Sequence, residues 1–151
     1  MGLKYKMENK CIFCDGDLEK YFVKKFEYWN VYLNPNQYHL GRVYVALNRH
    51  GPESTLELTD QEWQEFKEVI DKVTKVLKSL YKYDLMNYAT LQNVDRNHFH
   101  MHLIPRYIDA RIVYGEEFRD ELWSKPPFPT PKKEFDEKLL IKIKEDIQKE
   151  L

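Results

Sequence analysis

The sequence has few cysteines and no long apolar run. Its only two cysteines, Cys11 and Cys14, are separated by two residues. One bridge over so short a loop would constrain almost nothing, so a disulfide framework is excluded. The first ten residues hold no apolar segment of signal-peptide length, and no window approaches the roughly 20 apolar residues of a membrane span. We therefore expect a cytoplasmic protein without a membrane partner.

An excess of charge of either sign is also absent. The chain has 24 Lys and Arg residues against 25 Asp and Glu residues. This balance does not imply nucleic acid as the main partner. A length of 151 residues, 42% of them hydrophobic and without internal repeats, predicts a single domain over residues 1–151.

Hydrophobic periodicity predicts two helices and four strands. The first helix spans residues 59–81, with Thr59 as its N-cap and Glu62 completing a capping box. A second helix is predicted over residues 134–149, after an extended connector of residues 125–133 that holds four of the seven prolines. Aromatic and β-branched residues predict strands at residues 28–33, 43–47, 88–92 and 97–104. The pattern predicts an α+β fold with a mainly antiparallel sheet.

Three of the five histidines fall within five residues, at His98, His100 and His102. The two-residue period of a strand places all three on one face. Such a face could be merely polar, but Lys, Thr or Glu would solvate a strand more cheaply. Histidine offers titration near neutrality or metal ligation, and the triplet therefore predicts a reactive or metal-binding face.

The spacing of Cys11 and Cys14 is that of a metal knuckle. A redox pair would need a helix N-terminus, whereas residues 15–17 have the composition of a turn. Two thiolates and two imidazoles would complete a closed tetrahedral zinc site, and His39, His50 and the triplet offer the imidazoles.

Distance along the strand limits the choice of imidazoles. His98 and His102 would lie about 13 Å apart, so one ion cannot bind both. The remaining histidines are left to carry chemistry. An imidazole can attack phosphorus directly, and its neighbour can donate hydrogen bonds to the charged oxygens. Arg42 and Arg106 are candidate phosphate partners, although arginines at such positions are more commonly solvated surface residues.

The segment from His98 to Arg106, HFHMHLIPR, resembles the HxHxH signature of the histidine-triad family. Upstream, the residues KCIFC at 10–14 resemble a frequent N-terminal segment of that family. The residues LNRH at 47–50 stand where the family has a "PKRH" strand end. The resemblance covers about residues 10–107, which leaves residues 108–151 as a C-terminal extension.

The resemblance implies a five-stranded sheet with one long central helix and a C-terminal helix. It implies one structural zinc per chain, with the ligands Cys11, Cys14, His50 and His98. It further implies that His100 is the nucleophile and that phosphate or nucleotide is bound by His102, Asn34 and Gln92. A homodimer with a joined ten-stranded sheet is also implied.

Two departures from the family pattern concern the phosphate site. The family usually has Gly-His where this chain has Gly41-Arg42, and an arginine cannot act as a base but can hold phosphate. The loop at residues 92–97 lacks the family's glycine-rich "AGQ" approach. His39 is expected to face solvent in the hairpin loop rather than to replace the missing histidine.

The predicted function is a nucleotide hydrolase that cleaves at the α-phosphate of an adenine dinucleotide polyphosphate or a nucleoside phosphoramidate. A nucleotidyltransferase or phosphorylase is the nearest rival. Those branches carry glutamine at the third motif position, so His102 favours hydrolysis. A non-catalytic nucleotide-binding zinc module is a third possibility, and a metal-hydroxide hydrolase with His98 and His100 as ligands is a fourth.

Overall fold

The structure is a computed structural model that describes residues 11–92 and 98–151. Its centre is a five-stranded antiparallel sheet with the strand order β1-β2-β3-β5-β4. The strands are β1 (Phe22–Lys25), β2 (Trp29–Leu33), β3 (Val43–Leu47), β4 (Leu85–Ala89) and β5 (His100–Arg106). The predicted α+β class with a mainly antiparallel sheet is confirmed.

One long helix, α1 (Asp60–Tyr81), packs on one face of this sheet. The Thr59 hydroxyl accepts from the backbone N–H of Glu62, whose carboxylate accepts in return from the N–H of Thr59. This is the predicted capping box. Trp29 of β2 joins the layers, because its ring lies 4.3 Å from that of Phe66 and its indole N–H donates to the carbonyl of Glu62.

The opposite face of the sheet carries the histidines. In the β3–β5 pair, Tyr44 lies opposite His102 and Ala46 lies opposite His100. The ring of Tyr44 contacts both histidines, with centroid distances of 5.7 Å to His100 and 4.9 Å to His102. The sheet thus separates a helix-covered core from an aromatic histidine face.

The C-terminal part of the chain forms a hairpin, a connector and a second helix. The hairpin consists of β6 (Arg111–Val113) and β7 (Glu116–Phe118). The predicted connector, residues 125–133, has neither helix nor strand, and residues without either continue to Asp136. The helix α2 (Glu137–Glu150) begins after the N-cap Asp136 and packs beside β1.

Several predicted boundaries are wrong. The strand predicted at residues 88–92 begins at Leu85 and ends at Ala89. Its bounds are set by pairing with β5, in which Leu85 lies opposite Arg106 and Ala89 lies opposite His102. The strand predicted at residues 97–104 begins at His100, so His98 precedes the strand, and residue 97 lies outside the described residues. Helix α2 begins three residues later than predicted, because Phe135 stacks on Phe118 outside the helix. The pattern also missed β1 and the hairpin, whose strands are short and rich in charge.

Gly41 lies in the last turn of the loop between β2 and β3. Its φ is +81°, a left-handed conformation that glycine adopts without strain. A Cβ at this position would lie 3.0 Å from Tyr81 Cδ2 and 3.2 Å from Leu77 Cδ2. Glycine here therefore lets the turn reach α1 and sets the start of the segment that carries Arg42.

No helix among the residues at 11–92 and 98–151 has the length and apolar character needed to cross a membrane. The division into a core of residues 10–107 and an extension of residues 108–151 stays a prediction.

Candidate metal centre and histidine face

Cys11, Cys14, His50 and His98 come together from three parts of the chain. Their ligand atoms all lie within 4.8 Å of one another. The distances from His98 Nδ1 are 3.4 Å to Cys11 Sγ, 3.3 Å to Cys14 Sγ and 3.1 Å to His50 Nδ1. The cluster joins the N-terminal knuckle, the segment after β3 and the segment before β5.

These separations fit one tetrahedral zinc ion. Zinc with Zn–S bonds of about 2.3 Å and Zn–N bonds of about 2.0–2.1 Å sets its ligand atoms about 3.3–3.8 Å apart. The four residues can therefore hold one zinc, with two sulfurs and two imidazole nitrogens in a closed site. The other histidines that the sequence offers as imidazole ligands, His39, His100 and His102, are outside the cluster.

The surroundings of His98 favour its role as a ligand. Its Nε2 lies 2.5 Å from the carbonyl oxygen of Leu47, which can only accept, so Nε2 carries the proton and Nδ1 carries the lone pair. Burial lowers the pKa of His98 and keeps the ring neutral. For Cys14, burial and the neighbouring Cys11 raise the pKa to about 11. The Cys14 thiol therefore needs a cation nearby to ionise at neutral pH, which is a further reason why the site fits a metal.

His100 is buried on the histidine face, with its ring orientation set by the backbone. Its Nδ1 lies 2.7 Å from the carbonyl oxygen of His98, so Nδ1–H is the donor and the lone pair lies on Nε2. The ring of Phe13, from the knuckle, lies 5.0 Å from the His100 ring and 5.3 Å from the His98 ring. The metal cluster thus borders the second histidine directly.

His102 is buried beside Arg42. Arg42 Nη2 lies 3.1 Å from His102 Nδ1. A guanidinium can only donate, so Nδ1 of His102 accepts and the neutral ring carries its proton on Nε2. The expectation of a solvated Arg42 is wrong, because its side chain is buried between His102 and the connector.

Asn34 and Gln92 are the remaining residues predicted to bind nucleotide or phosphate. Asn34 lies beside Arg42. The backbone N–H of Asn34 donates to the carbonyl of Arg42 at 3.0 Å, and the side-chain oxygen of Asn34 accepts from the N–H of Asn36 at 2.8 Å. Gln92 lines a pocket of about 210 Å³ together with His100. The structure therefore places both near the face, and their predicted contacts with ribose and phosphate stay predictions. Residues 93–97 of the predicted short loop lie outside the described residues.

Two predicted side-chain positions are wrong. His39 does not face solvent but is wholly buried, with Nδ1 3.6 Å from Asp120 Oδ2. Burial lowers the pKa of His39 to about 4, so the ring is neutral at pH 7. Arg106 is not a surface residue either. It donates from Nε to Asp120 at 2.6 Å and from Nη1 to Asn87 at 2.8 Å, because a buried cation requires such partners.

The sequence pattern missed the contribution of the connector. Phe128 lies with its ring 5.7 Å from the His102 ring, and the Thr130 hydroxyl accepts from Arg42 Nη1 at 3.3 Å. A single aromatic residue within a proline-rich stretch gave no signal that pointed to these contacts. A cavity of about 490 Å³ was missed as well. Its walls include Phe13, Phe22 and Tyr32, with Lys144 and Gln148 contributed by α2.

Comparison with solved structures decides the fold. A histidine triad protein from Marinobacter aquaeolei aligns with a TM-score of 0.72 at 20% identity, over 89% of this chain and 92% of that one. A hypothetical histidine triad nucleotide-binding protein from Sulfolobus tokodaii aligns with a TM-score of 0.67 at 22% identity, over 93% and 91%. This chain has the histidine-triad fold. No family model and no curated protein matches its sequence.

A third protein with this fold is zinc-bound. The zinc-bound histidine triad family protein from Mycobacterium smegmatis aligns with a TM-score of 0.59 at 15% identity, over 93% of this chain and 94% of that one. The Cys11, Cys14, His50 and His98 cluster shows independently that this chain has a ligand set for one zinc. The resemblance seen in the sequence and the fold of the structure agree.

Proposed function

We propose that this chain is a nucleotide hydrolase in which His100 attacks the α-phosphate of a dinucleoside polyphosphate or a nucleoside phosphoramidate. The observation that carries the proposal is the orientation of His100. Its Nδ1–H donates to the His98 carbonyl, and the basic lone pair therefore lies on Nε2, the atom that can bond to phosphorus.

The reaction proceeds in two displacements. In the first, the Nε2 lone pair of His100 forms a bond to the α-phosphorus, the bond to the leaving group breaks, and the leaving group takes the electron pair and a proton from solvent. In the second, water attacks the same phosphorus and gives up a proton to solvent, the P–N bond breaks with its electron pair returning to Nε2, and a nucleoside monophosphate leaves. Two easier steps replace one difficult displacement.

Charge on the phosphate oxygens is met by His102 and Arg42. The contact with Arg42 gives His102 an Nε2–H donor, and Arg42 itself brings a permanent positive charge to the same face. Gln92 is proposed as a second phosphate contact, since it shares a pocket with His100. The nucleobase is assigned to the aromatic cavity at Phe13 and Tyr32, and Asn34 is assigned to the ribose.

Cys11, Cys14, His50 and His98 would hold one zinc ion, which would contribute folding free energy and fix the segment from which His100 takes its orientation. The chemistry is carried by the imidazoles of the histidine face, because the four protein ligands close the coordination shell.

The test uses the purified chain with a panel of dinucleoside polyphosphates, nucleoside phosphoramidates and nucleotide sugars, with product separation. We expect release of a nucleoside monophosphate by water, and acid-labile, base-stable label on the protein after a quench with α-labelled substrate. His100→Ala should lose nearly all turnover, with no label, because no other side chain of similar reach can replace the nucleophile.

His100→Asn is the matched control, because an amide can still donate to the His98 carbonyl but cannot attack phosphorus. Both variants should keep the zinc content and melting temperature of the wild-type protein. Activity above a tenth of wild type in either variant would show that His100 is not the nucleophile. Equal label on the wild-type protein and on a variant would show the same. Product that appears only when inorganic phosphate or a sugar phosphate is added would assign the chain to transfer rather than hydrolysis.

A further inference from the structure

The connector between β7 and α2 contributes two side chains to the histidine face. Thr130 contacts Arg42 through its hydroxyl, and the Phe128 ring centroid lies 5.6 Å from the Arg42 guanidinium carbon. The connector is anchored on the same side by Asn36, whose amide donates to the carbonyl of Pro131 at 3.0 Å. Residues far from Arg42 in the sequence therefore form one wall around its guanidinium.

The direction of the Thr130 hydroxyl is determined by its second contact. Its single proton is donated to the carbonyl of Pro127 at 2.6 Å. The lone pairs of the oxygen then face Arg42 Nη1, which can only donate. Thr130 is thus an oriented acceptor that contributes to the position of Arg42 Nη1.

Phe128 contacts the guanidinium of Arg42 as well. Its ring meets the His102 ring edge to face, with centroids 5.7 Å apart and an interplanar angle of 72°. Its contact with the Arg42 guanidinium is a cation–π interaction. Arg42 and His102 are consequently packed against one aromatic side chain.

The position of Arg42 controls the proton on His102. With Arg42 Nη2 at 3.1 Å, Nδ1 of His102 must accept, and Nε2 keeps its hydrogen. If Arg42 moves away, the Nδ1–H tautomer is no longer disfavoured by a facing donor. A ring in that tautomer cannot donate from Nε2 to a phosphate oxygen.

We propose that Thr130 and Phe128 are positioning residues of this site, which hold Arg42 so that His102 is kept as the Nε2–H donor. The inference rests on the proposed function for its catalytic consequence. It assigns to the C-terminal part of the chain a role in the histidine chemistry.

The experiment compares Thr130→Val with Thr130→Ser in the zinc-loaded protein. Valine matches threonine in shape but removes the acceptor, whereas serine keeps it. Nitrogen-15 NMR of histidine-labelled protein reads the ring tautomers directly, with His102→Asn used to assign the His102 signals. Wild type and Thr130→Ser should show the Nε2–H tautomer at His102, and Thr130→Val should show a mixture with Nδ1–H.

Turnover supplies the second readout. Thr130→Val should lower kcat about tenfold, the effect of one lost hydrogen bond, with KM changed less than about twofold, and Thr130→Ser should stay within about twofold of wild type. Equal melting temperatures and zinc contents of the two variants show that the difference is local.

A Thr130→Val protein with the wild-type tautomer at His102 overturns the inference. It is also overturned if the tautomer shifts while kcat stays within about twofold of wild type. If the wild-type protein turns over no substrate, the proposed function fails, and the tautomer measurement alone then decides whether Thr130 positions His102.

Discussion

At the scale of single residues, Glu62 connects the start of α1 to the segment that carries a metal ligand. Its carboxylate accepts from Arg49 Nε at 2.6 Å and Nη2 at 3.0 Å, and from the N–H of Thr59 at 2.9 Å. Arg49 directly precedes His50. The side chain of Glu62 is only 4% exposed, whereas that of Arg49 is 48% exposed, so water partly screens the contact between them.

The contact with Arg49 holds the pKa of Glu62 below its usual range. A carboxyl with a lowered pKa in the folded state stabilises the protein above its unfolded pKa, and this contribution is lost as pH falls through the folded pKa. Glu62→Gln should lower the free energy of unfolding at pH 7 by about 1–3 kcal/mol. The difference from wild type should shrink as the pH falls below about 4.

Urea unfolding of both proteins between pH 3 and pH 8 would measure this dependence. Glu68→Gln on the exposed side of the same helix is the control and should change stability little at any pH. A Glu62→Gln difference that is independent of pH would contradict the assignment.

At the scale of elements, a buried ion pair joins the end of β5 to the turn that leads into the connector. Arg106 contacts Asp120 through two nitrogens, at 2.6 Å and 3.3 Å, and also donates to Asn87 and to the carbonyl of Lys125. The side chains of Arg106 and Asp120 are 3% and 0% exposed. Removal of Asp120 therefore leaves the Arg106 cation buried without a counter-ion.

Asp120→Ala should lower the free energy of unfolding by about 3–5 kcal/mol, because Arg106 would remain buried and unpaired. The double variant Arg106→Met with Asp120→Leu should recover most of this loss, since it removes both charges and keeps apolar volume. Chemical denaturation of the three proteins tests the pair. A loss below about 1 kcal/mol in Asp120→Ala would mean that water or another group replaces Asp120.

The metal cluster also acts between elements, since it joins the knuckle, the end of β3 and the start of β5. Freshly prepared protein should contain about one zinc per chain by elemental analysis. Removal of zinc should lower the Tm by about 8–16 °C, for a structural contribution of about 4 kcal/mol, and added zinc should restore it.

Cys14→Ser provides the internal control for this prediction. The variant should melt near the temperature of the chelated wild-type protein, and chelator should lower its Tm no further. Wild-type protein free of zinc, or unchanged in Tm after chelation, would contradict the role of the cluster.

At the scale of the whole molecule, the sheet ends at β4 among the described strands. Leu85 and Tyr88 of this edge strand are 52% and 53% exposed. An unpaired edge with exposed apolar side chains is suited to strand pairing with a second chain. The homodimer implied by the family resemblance is proposed to form at this edge.

Light scattering coupled to gel filtration should report twice the mass of one chain at micromolar concentration. Tyr88→Lys should shift the protein toward the monomer, because a charge on the edge opposes pairing. Leu56→Lys, at a position that is 93% exposed and away from β4, should leave the mass unchanged. A wild-type monomer would remove the proposal.

The sequence by itself determined the long helix and the alternation of the histidines, and its resemblance to the histidine-triad family predicted the four residues of the metal cluster. The capping box and the apolar repeat of α1 act within a few residues, and so they can be read from a short window. The two cysteines and the alternating histidines carry chemistry that few residue types share. Charged, short strands such as β1 leave no comparable signal, because neighbouring strands rather than local pattern stabilise them.

Only the tertiary structure decided which polar side chains are buried and what they touch. His39 and Arg106 read as surface residues from the sequence, yet both meet Asp120 in the interior. Thr130 reaches Arg42 across 88 positions of the chain. Contacts of this kind depend on how the elements pack, because a side chain's solvation, protonation and orientation are set by neighbours in space rather than in sequence.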